Sequence, residues 1–241
     1  MYANAKRKSP KRDLFRNRVV TSLNDRVRVV VADDQNISRG FFEMYVRAAV
    51  QYRLLAGLRS AKEAVAYVDE HETDLLILDI VMQNGMDGLT AAGIIKRKHP
   101  EVKIILTTST SETSWEQKSR EIGVESFWYK EYDEHSLLDL MDRTMAGESV
   151  YPEDAPKVPF GSVTRADLTE RELDVLRELT GSLTNEEIAG RLGISPNTVK
   201  RHIQNIMEKT GFESRLDLAM NTKALGIVVH EEDRTRGNTE N

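Results

Sequence analysis

The sequence predicts two structural units: an α/β domain built on a five-stranded, doubly wound parallel sheet, and a small all-α domain after it. Three observations carry that expectation. Between residues 26 and 146, five short apolar runs alternate with five helix-periodic stretches, the pattern of β–α units in series. The third run, between Asp74 and Asp79, is apolar without alternation, as a parallel strand covered on both faces requires. From residue 167 to about 226 the pattern is helical throughout, with cap signals at three helix starts. A length of 241 residues accommodates two such domains.

In chain order, residues 1–25 hold seven Lys/Arg against two Asp, a charge of +5, and show no apolar period. This arm reads either as a solvated tail or as an arm that touches nucleic acid. Strands follow at Val27–Ala32, Tyr52–Ala56, Leu75–Leu78, Val102–Thr107 and Ser126–Tyr129, with helices near 38–50, 61–71, 88–98, 111–122 and 133–146. The first domain therefore occupies 26–146. Gly147, Pro152, Pro156, Pro159 and Gly161 crowd residues 147–166, which ends regular structure and predicts a linker. The helical domain occupies 167–227, and 228–241 is a polar tail expected to fray.

Composition narrows the function. The chain has no cysteine, which excludes a disulfide framework, a Cys-ligated zinc site and a thiol nucleophile. No apolar run reaches the ~18 residues of a membrane span. The basic start lacks the apolar segment of a secretory signal, so a cytoplasmic protein is expected. The net charge of −5 argues weakly against a nucleic-acid partner. Its distribution says more: +5 in 1–25, −5 in 26–146 and −1 in 164–226, where Lys200, Arg201 and Lys209 concentrate on one helix.

Open α/β sheets place their sites beyond the carboxyl ends of the strands. Here that edge gathers Asp33 and Asp34 after the first strand, Asp79 after the third, Thr108 and Ser109 after the fourth, and Lys130 after the fifth. Carboxylates so close raise one another's pKa unless a cation lies among them, and an all-oxygen set suits Mg²⁺. A carboxylate beside bound Mg²⁺ can attack a phosphoryl group and become an acyl phosphate. A lysine ammonium and a threonine hydroxyl would then hold the new phosphoryl oxygens. Singly, a strand-end Asp is more often a helix cap and a lone lysine is usually solvated; the joint placement makes the case.

This constellation resembles the receiver domain of two-component response regulators, over about 120 residues. The resemblance implies a flavodoxin-like fold with Asp79 as the phosphoacceptor. It implies a Mg²⁺ site of Asp34 and Asp79, Asp33 partly through water, and the Val81 carbonyl. Thr108, eight residues after Pro100, resembles the switch hydroxyl, and Lys130 the phosphate-pairing lysine. Phe127 resembles the aromatic that changes rotamer on activation, although core packing alone would also place it there. Two features depart from the family. Gln83 stands where a proline is usual and Asp87-Gly88 come one residue late, so the loop 83–86 is one residue longer; Gly85 can absorb the extra turn at positive φ. Thr107 is polar where an apolar residue is usual.

In the helical part, Thr169-Glu-Arg-Glu172 and Thr184-Asn-Glu-Glu187 fit the capping box. Ser195-Pro196 puts a cap before a proline at the first helical position. A helix over Asn185–Leu192 ends at Gly193, and a short turn leads into another over about Pro196–Lys209, a helix-turn-helix pattern. At about 100° per residue, Asn197, Lys200, Arg201 and Gln204 share a polar stripe, while Val199, Ile203, Ile206 and Met207 share an apolar face. Such a helix can bury one side and lay the other in a DNA major groove. Thr198, His202 and Lys209 lie on a flank suited to phosphates. An ordinary amphipathic surface helix would carry the same pattern. His202 has no neighbouring His or Cys and is not read as a metal ligand.

The segments Leu168–Leu173, Asn185–Ala189 and Leu192–His202 closely resemble the LuxR/NarL-type DNA-binding domain, over about 60 residues. That resemblance implies a four-helix bundle with Lys200, Arg201 and Gln204 as the foremost base contacts. Its last helix, about Arg215–Leu225, either pairs in a dimer or fills the core through Leu216, Leu218, Ala219 and Leu225.

Together the resemblances imply a phosphorylation-controlled bacterial transcription regulator of the NarL/FixJ type, not an enzyme. A sensor histidine kinase would supply the phosphoryl group, and a homodimer would read two DNA half-sites. One alternative is a phosphorylation-independent DNA-binding regulator with a vestigial receiver site. Another is an aspartyl phosphatase of the haloacid dehalogenase type, but that chemistry wants a second Asp two residues after the nucleophile, where this chain has Val81.

Overall fold

A computed structural model describes residues 25–82, 85–110, 114–130, 136–152 and 158–228. The basic arm before Asp25, Gln83 and Asn84, and the tail beyond Val228 lie outside the described residues.

The first domain runs β1 (Val27–Ala32), α1 (Asn36–Ala48), β2 (Tyr52–Leu58), α2 (Ala61–Glu70), β3 (Leu75–Asp79), α3 (Gly88–Lys98), β4 (Lys103–Thr108), α4 (Ser114–Ile122), β5 (Ser126–Tyr129) and α5 (Leu137–Met145). The strands lie in the order β2-β1-β3-β4-β5, all parallel. All five residues of β3 are buried, because helices cover both faces of this central strand. On one face Phe42, Val46 and Ala49 of α1 and Leu137, Leu140 and Met141 of α5 pack against Val29, Val31 and Ile77. On the other, Ala64 and Val68 of α2, Ala92 and Ile95 of α3 and Trp115 of α4 pack against Val30, Leu76, Leu78 and Leu106. Each such Val, Leu or Ile contributes about 1.5–3 kcal/mol by leaving water, which makes the sheet a rigid base for the groups at its edge.

The helices start where side chains satisfy their free N–H groups. Ser60 caps α2 and Asp87 caps α3, the latter accepting from the Thr90 N–H at 2.6 Å. Helices α1 and α5 differ: neither Gln35 nor Ser136 at their N-caps makes a side-chain cap hydrogen bond. Gly85 has φ 93°, the positive φ expected for the longer loop. Gly88 is forced by proximity, because a Cβ there would collide with the Asp79 carbonyl, and its N–H donates to the Ile80 carbonyl at 3.0 Å.

The described residues of 147–166, a stretch expected to lack regular structure, are more ordered than its prolines and glycines suggest. Val150 pairs with the outer edge of β5: its N–H donates to Glu125 O (3.1 Å) and its carbonyl accepts from Phe127 N–H (2.9 Å). The Tyr151 hydroxyl donates to Val124 O, and the Arg120 guanidinium lies 3.7 Å over the Tyr151 ring. Further on, β6 (Pro159–Phe160) and β7 (Val163–Thr164) form a small antiparallel pair. Gly161, φ 64°, sits against the Thr210 carbonyl, where any side chain would clash.

The helical domain holds α6 (Glu170–Leu179), α7 (Asn185–Leu192), α8 (Pro196–Thr210) and α9 (Arg215–Ala224). Both capping boxes form, at Thr169/Glu172 and Thr184/Glu187, and Ser195 caps α8 ahead of Pro196. Gly193 and Gly211 end α7 and α8 in the left-handed conformation. The core joins Leu173, Leu176, Ile188, Val199, Ile206 and Leu218 to Val158 and Phe160 from the stretch before the domain and Ile227 after it. Among the described residues no helix is long and apolar enough to cross a membrane.

Candidate functional site

The carboxyl edge of the sheet brings together Asp33, Asp34 and Asp79, with one ligand atom of each within 4.8 Å of the others. Asp33 leaves β1 fully buried. Its carboxylate accepts from the Gln35 N–H (2.8 Å), the Ser38 hydroxyl (2.5 Å) and the Lys130 ammonium (2.7 Å). Lys130, just past β5, also lies 3.0 Å from Asp79 Oδ1. Burial pushes the Asp79 carboxyl up to about 7; Lys130 opposes that rise, while Asp33 and Asp34 add to it. One ammonium therefore does not neutralise three crowded carboxyls. The donors are all hard oxygens, so the set fits a divalent ion such as Mg²⁺. Val81 is half-buried two residues past Asp79.

The other expected groups lie on the neighbouring strands β4 and β5. Thr108 is fully buried at the end of β4, and its hydroxyl interacts with Thr110: Oγ1 lies 3.2 Å from Thr110 Oγ1 and accepts from the Thr110 N–H at 3.2 Å. Phe127 is fully buried, edge-on to Tyr129 and near-parallel to Tyr151 at 6.1 Å. Thr107 is buried beside Asp79 in the sheet register, and its Oγ1 has no hydrogen-bond partner. Reading the sequence missed three supports: Ser38, Arg39 and Thr110. Ser38 and Arg39 fall on the buried side of α1, which a helical period can indicate, but their acceptor, Asp33, is set by tertiary packing.

A separate concavity of about 480 Å³ lies near the amino ends of the strands, lined among others by Arg28, Asp69, His71, Glu72, Asp74 and His99. Its charges pair with each other: Arg28 with Asp74 and Glu72, and His99 with Asp69. The carboxylate edge differs in that three carboxyls there face one ammonium.

In α8 the expected two-sidedness is present. Val199 and Ile206 are fully buried and Ile203 nearly so, while Asn197, Lys200, Arg201 and Gln204 are exposed. Thr198 and His202 are half-buried, and the Thr198 hydroxyl lies 2.8 Å from Ser195 Oγ within the cap. Lys209 differs from the stripe: its ammonium binds Glu172 at 2.8 Å, joining the end of α8 to the cap of α6. Helix α9 divides its apolar residues, with Leu218 in the core and Leu216 and Met220 well exposed.

Comparison with known proteins agrees with this geometry. Residues 29–142 match the response regulator receiver domain, and residues 166–222 match the bacterial regulatory proteins of the luxR family. The response regulator protein VraR of Staphylococcus aureus (strain Mu3 / ATCC 700698) is 31% identical over 194 residues, covering 78% of this chain and 92% of VraR. Among solved structures, the RcsB response regulator–DNA complex shares the fold with a TM-score of 0.53 and 21% identity, over 83% of this chain and 99% of RcsB. A structure of two RcsB dimers bound to two parallel DNAs gives a TM-score of 0.54 at 20% identity, with 83% and 99% coverage. The chain is a response regulator of the NarL/FixJ type, a receiver domain joined to a LuxR-type helix-turn-helix DNA-binding domain.

Proposed function

We propose that Asp79 accepts a phosphoryl group from a sensor histidine kinase in a Mg²⁺-dependent step, and that the helical domain then binds DNA as a dimer. The observation that carries this is the convergence of three carboxylates and one lysine at one sheet edge. An Asp79 carboxylate oxygen attacks the phosphorus of a phosphohistidine. The P–N bond breaks, its electron pair stays on the imidazole nitrogen, and an acyl phosphate forms on Asp79. Asp33, Asp34, Asp79 and the Val81 carbonyl would hold Mg²⁺, which supplies charge neutralisation to the phosphoryl oxygens. Lys130 pairs with one of those oxygens, and Thr108 turns from Thr110 to a second. Thr110 packs against Gly226, just after α9, so that turn acts on a contact with the helical domain, and Phe127 follows into the space Thr108 leaves.

In this reading 26–146 is the receiver, 147–166 the joint and 167–227 the DNA reader, flanked by the arm 1–25 and the tail 228–241. The matched ranges support that division. Lys200, Arg201 and Gln204 contact bases, with Asn197 beside them, while Thr198, His202 and Lys209 face phosphates. Two copies paired through the exposed Leu216 and Met220 of α9 read two half-sites. The protein acts in the cytoplasm, and its chemistry is limited to its own phosphoryl transfer.

The test is incubation with acetyl phosphate and Mg²⁺, followed by mass spectrometry, DNA footprinting and sizing of wild type and Asp79→Ala. An acyl phosphate on the Asp79 peptide, with tighter DNA binding and dimerisation in wild type only, is expected. One observation favours a second reading, DNA binding without phosphorylation: the polar stripe of α8 is already exposed. Equal DNA affinity and oligomeric state in wild type and Asp79→Ala, each with and without acetyl phosphate, would establish that reading and end the first.

A further inference from the structure

The loop that carries Asp34 is held on one side by the Asp33 carboxylate, which accepts from the Gln35 N–H and the Ser38 hydroxyl. Helix α1, which starts two residues later, has no side-chain N-cap hydrogen bond and no acidic residue in its first turn. A second support comes from within the helix. Arg39 is 8% exposed. Its Nη1 donates to the backbone carbonyl of Asp33 at 2.8 Å, and its Nη2 donates to Asn36 Oδ1 at 2.6 Å. One planar guanidinium thus fixes the peptide on one side of Asp34 and the first helical residue on the other. Lysine, a point charge on a flexible stem, cannot span two diverging acceptors in this way.

Arg39 is braced in turn. Its Nε lies 3.8 Å from Glu43 Oε1, one turn along α1. Glu43 fits because residue 57 of β2 is glycine: a Cβ there would collide with the Glu43 carboxylate and would lie 3.5 Å from Arg39 Cδ. A register shift between Val29 and Val30 in the β1–β2 pairing lies just ahead of this slot. A glycine inside a strand often marks such a close approach.

We infer that Arg39, braced by Glu43 in the slot left by Gly57, is a positioning residue that presents the Asp33–Asp34 segment to a divalent cation. The inference rests on the metal-dependent reading above. Groups that orient ligands commonly change metal affinity 10–100-fold when removed. Arg39 touches only the backbone of Asp33, so its effect is on where the carboxylates stand, not on how many there are.

The experiment is a calorimetric titration of Mn²⁺ into the full chain, with thermal melts to confirm folding. Arg39→Met is expected to weaken Mn²⁺ binding roughly tenfold or more, and Arg39→Lys to recover only part of the loss. Arg47→Ala, which removes an exposed partner of Glu43 without touching Asp33, is expected to bind as wild type does. A purely structural role would lower the melting temperature and leave the Mn²⁺ affinity of the folded protein intact; folded Arg39→Met with wild-type affinity overturns the inference. Should Arg39→Met not fold, Gly57→Ala carries the test, since it displaces Glu43 without altering a charge: weaker Mn²⁺ binding supports the role and unchanged binding overturns it. Wild type that takes up no Mn²⁺ overturns the metal-dependent reading itself, and this role with it.

Discussion

Asp33 and Asp79 are 0% and 2% exposed and share one ammonium, whereas Lys200, Arg201 and Gln204 stand in solvent on α8. The two regions hold their charges under opposite conditions. At the receiver edge, burial strengthens every interaction among the charges, so the site is marked by its own electrostatics, as the upward displacement of Asp79 illustrates. On α8, water screens the charges and nothing local distinguishes them from any solvated face. Only the scaffold marks them: a capped start at Ser195, a buried opposite side and a short turn from α7.

That contrast can be tested by moving charge in each region. The largest expected effect is on stability against pH. Asp79 titrates at about 7 when folded and near 3.8 when unfolded, so between roughly pH 4 and 7 the folded state binds the additional proton. Stability contributed by the protonated form is thus lost as pH rises through that window. Asp79→Asn should remove this dependence and exceed wild type by roughly 2–4 kcal/mol at pH 8 without divalent ions, with the two converging near pH 4. Chemical denaturation at several pH values measures it, and parallel curves for the two proteins would show that Asp79 is not strained.

A smaller effect is expected on α8. With DNA obtained by selection from random sequence, Arg201→Ala or Lys200→Ala should each cost about 1–3 kcal/mol of discrimination between selected and unrelated sites, with little change in thermal stability. Equal losses on both kinds of DNA would reassign the residue from base to phosphate contact.

The smallest concerns Lys209. Because its ammonium is held by Glu172, whose side chain is only 5% exposed, Lys209→Met should lower stability by about 1 kcal/mol. It should alter the salt dependence of DNA binding less than the loss of a full phosphate contact, which would lower the slope by about 1. A full unit of change would mean that Lys209 leaves Glu172 for the DNA.

The same contrast explains what could be read in the sequence. The strand ends carrying Asp33, Asp79 and Lys130 were legible because the apolar run of β3 and its neighbours locates them. The sides of α8 were legible because helical period sorts Val199 and Ile206 from Lys200 and Gln204. Arg39 was not, since its acceptor depends on how α1 lies across β2, which the spacing of residues does not encode. Nor was Gly57, because the expected strand stopped at Ala56 and only the structure extends it to Leu58. The β6–β7 pair was hidden by Pro159 and Gly161, which read as breakers although they build a tight hairpin against the end of α8. The turn of Thr108 toward Thr110 is a choice of rotamer, and no sequence pattern specifies it.

The pairing of Val150 and Tyr151 with the receiver has a further consequence. Tyr151 is fastened to one core and Val158 is buried in the other. Seven residue steps separate them, so the tether between the fastened points reaches at most ~24 Å. Confinement of this kind sets an effective concentration in the millimolar range. A contact between the two cores thus needs only weak intrinsic affinity to persist. The short leash keeps each domain within easy reach of the other, whatever else holds them together.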